Sequence, residues 1–179
     1  MTTSRGIDPR GPRFTATITA VLLLTVVGLG IAATTYVINT SSGWAAYEIT
    51  LKSPLQRLLE PGAILFAVLV LIFAWSATQG VAKHPFGLFF RAVIRPRLTP
   101  PAELEDPAPP TFAQGVGFLI TATGLVLHLL GVPYALVIAA SLAFIAAFLN
   151  SVFAFCLGCQ IYLLLVRARI IRPKGAALA

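Results

Sequence analysis

The sequence predicts an all-α integral membrane protein whose helices form a four-helix bundle. Of its 179 residues, 58% are apolar and only 11% are charged, and the mean hydropathy is +0.89. A soluble domain of this size needs more polar residues to cover its core. Four long stretches carry no charge, and basic residues flank them on one side. We therefore expect a single membrane domain over residues 1–179.

The four uncharged stretches define the predicted spans. The first three cover residues 14–38, 62–81 and 112–130, and each fits one crossing, which needs roughly 20 residues. The fourth covers residues 134–166, which is about 50 Å of helix against a hydrocarbon core of about 30 Å. Two crossings there would need a turn, which only Asn150, Ser151 or Gly158 could offer. We expect instead one helix that spans over 134–158 and continues along the inner interface to about 168.

Basic residues predict the orientation. Eleven of the 13 lie on one side of the predicted spans: Arg5, Arg10, Arg13, Lys83, Arg91, Arg95, Arg97, Arg167, Arg169, Arg172 and Lys174. Basic loop residues stay cytoplasmic, so we expect a multi-pass plasma-membrane protein with both termini inside. The net charge of +7 then reflects topology and contact with anionic lipid rather than binding of nucleic acid.

Two cytoplasmic segments separate the second span from the third. Residues 85–97 mix aromatic and aliphatic side chains with Arg91 and Arg95, as in a helix that lies in the membrane interface. Residues 99–111 are rich in proline and carry three acids. They predict a stiff acidic linker.

The two halves of the chain also resemble each other. Residues 8–14 and 106–112 share the pattern D-P-x-x-P-x-F, and residues 94–97 (I-R-P-R) match residues 171–174 (I-R-P-K). Asp-Pro is a common helix start, so the match could be chance. The order of both matches favours two parallel repeats of a helical hairpin. The second match places residues 79–82 opposite residues 156–159.

Cys156 and Cys159 are the one constellation with a plausible reaction. Residues three apart share a helix face, so the two sulfurs come near disulfide geometry. Such a dithiol can exchange electrons with another thiol protein, or carry sulfur as a persulfide. In soluble redox proteins the pair lies at a helix N-terminus, which activates the thiol. A continuous helix lacks that activation, so reactivity would need a break at Asn150 or Gly158, or a nearby cation.

Three cations are candidates for that role: Arg91, Arg95 and Arg167. The alternative is that the two cysteines are inert and pack as small apolar side chains. A metal site is not expected, because the chain offers two cysteines and two histidines for four zinc ligands. His84 could approach the pair, whereas His128 lies near the outer end of its span. We expect no cofactor.

Three segments carry a family resemblance: Ile7–Phe14 (I-D-P-R-G-P-R-F), the linker Pro101–Pro110, and Phe155–Tyr162 (F-C-L-G-C-Q-I-Y). Together they resemble a family of small actinobacterial four-helix membrane proteins, domain of unknown function 4395. The resemblance implies the same fold over nearly the whole chain. It also implies genes beside rhodanese-type sulfurtransferases or thioredoxin-like proteins, and it carries over Cys156 and Cys159 as a pair.

The sequence leaves two candidate functions. The first is a non-enzymatic thiol-redox or sulfur-handling membrane protein that acts through Cys156 and Cys159 on a cytoplasmic thioredoxin-like or rhodanese-type partner. The second is a structural or transport-associated subunit whose cysteines are inert and whose helices pack on themselves or on another membrane protein. A homo-oligomer would bring four cysteines together, although no residue requires one.

Overall fold

The computed structural model describes residues 6–40, 49 and 52–171, and within these it is helical without any strand. Four of its helices are long and apolar enough to cross a membrane, which confirms the all-α bundle of membrane type. They are α1 (Arg10–Thr40), α3 (Pro61–Gln79), α5 (Ala108–Leu129) and α6 (Ala135–Phe153). Shorter helices are α2 (Pro54–Leu58), α4 (Pro85–Phe89) and α7 (Leu157–Arg167).

The long helices form a closed ring in which neighbours run antiparallel. α1 packs mainly on α6 and α3 mainly on α5, while α1–α3 and α5–α6 contacts complete the ring. Its core comes from α1, α3 and α6: Leu23, Val26, Ala63, Phe66, Leu69, Leu136, Ala139, Ala140 and Ala143. Buried hydroxyls are satisfied within their own helices, because Ser76 donates to the Ile72 carbonyl and Thr121 to the Gly117 carbonyl. This satisfies the requirement that lipid places on polar groups.

The outer surface of the ring is apolar. Large side chains at about half exposure or more line the outside of each long helix: Val21, Leu24, Val68, Leu71, Leu119, Val126, Ile138, Leu142 and Ile145. A water-soluble monomer rarely exposes so large a continuous apolar area. The four helices therefore fit a multi-pass membrane protein in contact with lipid.

One end of the bundle, named here the basic face, gathers the start of α1 and α5 and the end of α3 and α6. Arg13 in α1 donates to the Ser151 carbonyl in α6 at 3.5 Å, and the Val81 N–H after α3 donates to Thr111 Oγ1 in α5 at 3.1 Å. Eight basic residues lie at this end: Arg10, Arg13, Lys83, Arg91, Arg95, Arg97, Arg167 and Arg169. Arg5, Arg172 and Lys174, which the sequence assigns to the same side, lie outside the described residues.

The fourth predicted span is two helices, so the prediction of a continuous helix to about residue 168 is wrong. α6 ends at Phe153, residues 154–156 are not helical, and α7 begins at Leu157. The reason lies in local capping: Ala154 turns into the left-handed region with φ of 55°. The N–H groups of Ala154 and Phe155 both donate to the Leu149 carbonyl, which satisfies the helix end.

The N-terminal segment is joined to the acidic linker. Ile7 and Glu105 form an antiparallel bridge with hydrogen bonds of 2.8 and 2.9 Å in the two directions. They occupy equivalent positions in the two predicted repeats, one residue before Asp8 and Asp106. A bridge that pairs equivalent residues in this reciprocal way is what a two-fold axis through it produces, and it supports the predicted repeat.

Packing of α5 on α6 gives a first prediction. A Cβ on Gly124 would collide with the side chain of Ala139, whereas a Cβ on Gly28 in α1 meets no atom within 4 Å. Gly124→Val should cost about 1–3 kcal/mol through overpacking. Gly28→Ala should be neutral or stabilising by up to about 1 kcal/mol. Thermal unfolding of both variants in detergent measures this difference, and equal losses would contradict the packing.

Candidate functional site

The cysteine pair lies in the turn between α6 and α7. Cys156 has extended backbone with φ of −87° and is the N-cap of α7, so the helix begins directly after it. Its Sγ accepts a hydrogen bond from the Cys159 N–H at 3.2 Å, and its carbonyl accepts the Gln160 N–H at 3.0 Å. The break that the reactive interpretation required is present at residues 154–156 rather than at Asn150 or Gly158.

The two sulfurs form a disulfide. The Cα atoms of Cys156 and Cys159 are 5.2 Å apart, within the range that disulfides need. Two cysteines inside a regular helix turn are held slightly too far apart. This limit does not apply to Cys156, because it is the N-cap with extended backbone and only Cys159 has helical backbone. Both residues are partly exposed, so a reagent can approach them.

Small residues hold this turn against the start of α5. A Cβ on Gly158 would lie 2.6 Å from the Ala113 Cα, so no larger residue fits at this crossing without a shift. One turn after Gly158 in α7, the Tyr162 ring packs on Phe112, the residue before Ala113 in α5, with centroids 5.6 Å apart. Gly158 therefore permits close packing, whereas the sequence offered it as a place for a helix break. The contacts of Gly158 and Tyr162 with α5 hold α7 across the end of the bundle.

The predicted cations lie elsewhere. Arg91 donates to the Ala82 carbonyl, and Arg95 lies 4.0 Å from the Asp8 carboxylate, both in the first half of the chain. Arg167 occupies the last turn of α7, about 15 Å along the helix from its first residue. The favourable electrostatics at Cys156 come instead from the N-terminus of α7, where backbone N–H groups and the helix dipole stabilise an anion.

The structure gives Cys156 a counterpart in the first half, which the sequence did not identify. His84 is the N-cap of α4, and its Nδ1 accepts the Phe86 N–H at 3.2 Å. α4 packs on α1 as α7 packs on α5, and the Phe14–Phe90 ring contact matches the Phe112–Tyr162 contact. This equivalence pairs residue 84 with 156, so the predicted pairing of residues 79–82 with 156–159 is wrong. The sequence feature that could have indicated this helix start is the His-Pro dipeptide at His84, since proline favours the first position of a helix.

His84 is buried, with 1% of its surface exposed. Burial lowers the pKa of His84 to about 4, so the imidazole is neutral at physiological pH. The Nδ1 bond to a backbone donor then leaves the proton on Nε2. The structure shows no contact between His84 and the disulfide among the described residues. The predicted approach of His84 to the cysteines therefore gains no support.

His128 lies at the opposite end of the bundle in a polar cluster. Its Nε2 is 3.4 Å from the Arg57 carbonyl and 3.5 Å from Glu60 Oε2, while Lys52 pairs with Glu60 at 3.1 Å. The hydrogen bond from His128 is the main cause that lowers the pKa of Glu60. Within the described residues no three His, Cys, Asp or Glu side chains form a group that could hold a metal ion.

Comparison with known proteins gives one match. The family model described as domain of unknown function (DUF4395) matches residues 7–167, which include α1, all the other long helices and the cysteine pair. No curated protein and no solved structure matches the chain.

The buried histidine gives a second prediction. Its pKa is lowered on folding, so the unfolded chain binds a proton that the folded chain does not between pH 6.5 and about 4. Its contribution to stability is therefore complete above pH 6.5 and falls as the pH drops through this window. His84→Asn keeps an N-cap acceptor but cannot titrate. Between pH 7 and 4.5 the unfolding temperature should fall more for the wild type than for His84→Asn, and parallel curves would contradict this.

Proposed function

The chain belongs to the family described as domain of unknown function (DUF4395), and we propose that this member is a membrane thiol–disulfide exchange protein that acts through Cys156 and Cys159. One observation carries the proposal: the helix break makes Cys156 the N-cap of α7, with its sulfur hydrogen-bonded to the Cys159 N–H. This is the arrangement that stabilises a cysteine thiolate in thiol oxidoreductases.

The exchange is a two-electron reaction. A thiolate of a dithiol partner attacks one sulfur of the disulfide, the S–S bond breaks, and the other cysteine leaves as a thiolate. The partner's second thiol then attacks the mixed disulfide. The partner ends as a disulfide, while Cys156 and Cys159 end as a dithiol that gains the two protons. Cys156 is the better leaving and attacking group, because its thiolate is stabilised by the helix N-terminus.

The same thiolate suits sulfur transfer. Cys156 can attack the outer sulfur of a partner's persulfide, which frees the partner's thiolate and leaves the persulfide on Cys156. Attack by Cys159 then releases hydrosulfide and re-forms the disulfide. A thioredoxin-like dithiol or a rhodanese-type persulfide is thus the class of partner that the pair serves.

Charge at the basic face supports a cytoplasmic location of the pair. The eight described basic residues there stand against four acids, Asp8, Glu103, Glu105 and Asp106, and basic ends of membrane helices stay inside. We place both termini and the disulfide on the cytoplasmic side of the plasma membrane. There the excess positive charge would attract an acidic partner protein.

Thiol reactivity tests the proposed chemistry. Purified protein should take up no maleimide until it is reduced. The two single variants then compare the thiols one at a time. At pH 7, the Cys156 thiol that remains in Cys159→Ser should be alkylated about tenfold faster than the Cys159 thiol that remains in Cys156→Ser, because only Cys156 accepts a hydrogen bond at the helix N-terminus. Cys156→Ser/Cys159→Ser is the unlabelled control. Equal, slow rates for both thiols would support the rival function, a structural or transport-associated subunit with inert cysteines.

Sidedness is tested separately in whole cells. After reduction with a permeant reagent, an impermeant maleimide added outside should leave Cys156 and Cys159 unlabelled, and it should label them once the cells are broken. A cysteine placed at Lys52, which is at the opposite end of the bundle, serves as the positive control in a chain without the native pair. Labelling of the native cysteines in intact cells would overturn the cytoplasmic location.

A further inference from the structure

A cavity opens on the basic face in the first half of the chain, away from the disulfide. Its volume is about 540 Å³ with the open space at its mouth included, and it is lined by the N-terminal segment, the start of α1 and residues 81–95. Neither the disulfide nor the residues that position it line the cavity. The exchange chemistry therefore leaves this cavity without a role.

The charged side chains of the cavity sum to a positive site. Arg91 and Arg95 line it together with Asp8. Asp8 pairs mainly with Arg10, which binds both carboxylate oxygens at 3.0 and 2.8 Å, and Arg95 lies 4.0 Å from the same carboxylate, so three arginines stand against one carboxylate. Arg91 uses one N–H group on the Ala82 carbonyl, so further donors of its guanidinium remain for a ligand. Two net positive charges therefore remain at the cavity. Arg91 and Arg95, which line it, can both bind an anion.

Apart from the charged residues and Thr15, the side chains that line the cavity are apolar. Val81 and Phe90 line it and are buried. Leu88 and Phe89, which directly precede Phe90 in the chain, are 47% and 52% exposed. An occupant with an anionic head and hydrocarbon tails would meet arginines at the cavity and apolar side chains beside it. Basic pockets at the ends of membrane helices bind phosphate headgroups in this way.

We propose that the cavity lined by Arg91 and Arg95 binds the phosphate headgroup of an anionic phospholipid. Arginine suits this ligand because its planar fork binds two phosphate oxygens at once. A soluble phosphate ester shares the headgroup chemistry but has no use for the exposed apolar residues beside the cavity. The lipid is therefore the occupant that accounts for both parts of the site.

Two residues that line the cavity are not repeated in the second half of the chain. With residue 84 paired to 156, Arg91 corresponds to Leu163, while Arg95 corresponds to Arg167. Thr15, which lines the cavity, corresponds to Ala113, against which Gly158 packs closely. The two halves thus share a framework but divide two roles between them. This comparison supplies a matched control for the experiment.

Binding of short-chain lipids to the purified full chain in neutral detergent tests the proposal. Native mass spectrometry counts the bound molecules in titrations with phosphatidylglycerol, phosphatidylcholine and glycerol 3-phosphate. One phosphatidylglycerol should bind tightly. Arg91→Gln/Arg95→Gln should weaken it at least about tenfold, since two charge-assisted bonds are lost. The control Arg97→Gln/Arg167→Gln removes the same charge from the same face outside the cavity, and it should change affinity less than about twofold.

Each other outcome overturns the assignment. Equal losses in both double variants would mean that the face attracts lipid only through its general charge. Equal affinity for phosphatidylcholine would exclude recognition of an anionic lipid. Saturation by glycerol 3-phosphate at the same affinity would make the ligand a soluble phosphate ester instead.

A second variant guards against misfolding of the arginine variants. Gly87 lines the cavity, and a Cβ there would meet its nearest atoms, in His84 and Val81, at 3.6 Å, which is an ordinary contact. Gly87→Leu fills the cavity without any change of charge, and it should also weaken phosphatidylglycerol binding at least about tenfold. Unchanged binding in a folded Gly87→Leu protein would overturn the proposal. The result is independent of thiol exchange, because Cys156→Ser/Cys159→Ser should bind the lipid as the wild type does.

Discussion

Apolar surroundings are the constraint on which the arrangement of this protein depends. Hydrocarbon offers no hydrogen bonds, so each backbone group inside it must be paired within its own helix. The four long helices meet this demand, and their buried hydroxyls bond back to their own carbonyls. Every irregular segment that the structure describes is consequently at one of the two ends. Charges and broken backbone concentrate there, and so does the chemistry that depends on them.

The turn at residues 154–156 shows how a helix end becomes a reactive site. At the end of α6, Ala154 adopts the left-handed backbone conformation, which costs a non-glycine residue of order 1–3 kcal/mol. This ending makes room for a new N-terminus at α7, where the Cys159 N–H donates to Cys156 Sγ. Contact between Gly158 and Ala113 fixes that turn on α5. In a continuous helix through the same residues, the backbone N–H groups near the cysteines would all be bonded to carbonyls of the preceding turn, and none could stabilise a thiolate.

The layout of the basic face fits the two parallel repeats that the sequence predicts. One framework, an N-capped short helix laid across the start of a long helix, occurs after α3 and again after α6. The cap is His84 in the first copy and Cys156 in the second. Equivalent positions then diverge further, because Arg91 lines a cavity while the matching residue of the second copy is the apolar Leu163. The reciprocal Ile7–Glu105 bridge ties the copies together between these two sites.

Composition and spacing alone determined the all-α membrane bundle, because an uncharged stretch of about 20 residues has few other solutions. The motif D-P-x-x-P-x-F predicts the repeat, and the spacing of the cysteines indicates a pair. Three things were decided only by tertiary structure. They are the break at Ala154, the pairing of His84 with Cys156, and the separation of Arg91 and Arg95 from the disulfide. No proline marks the break, and α6 ends where the N–H groups of Ala154 and Phe155 cap the Leu149 carbonyl. The close contact of Gly158 with Ala113 joins residues far apart in the chain, which periodicity does not record.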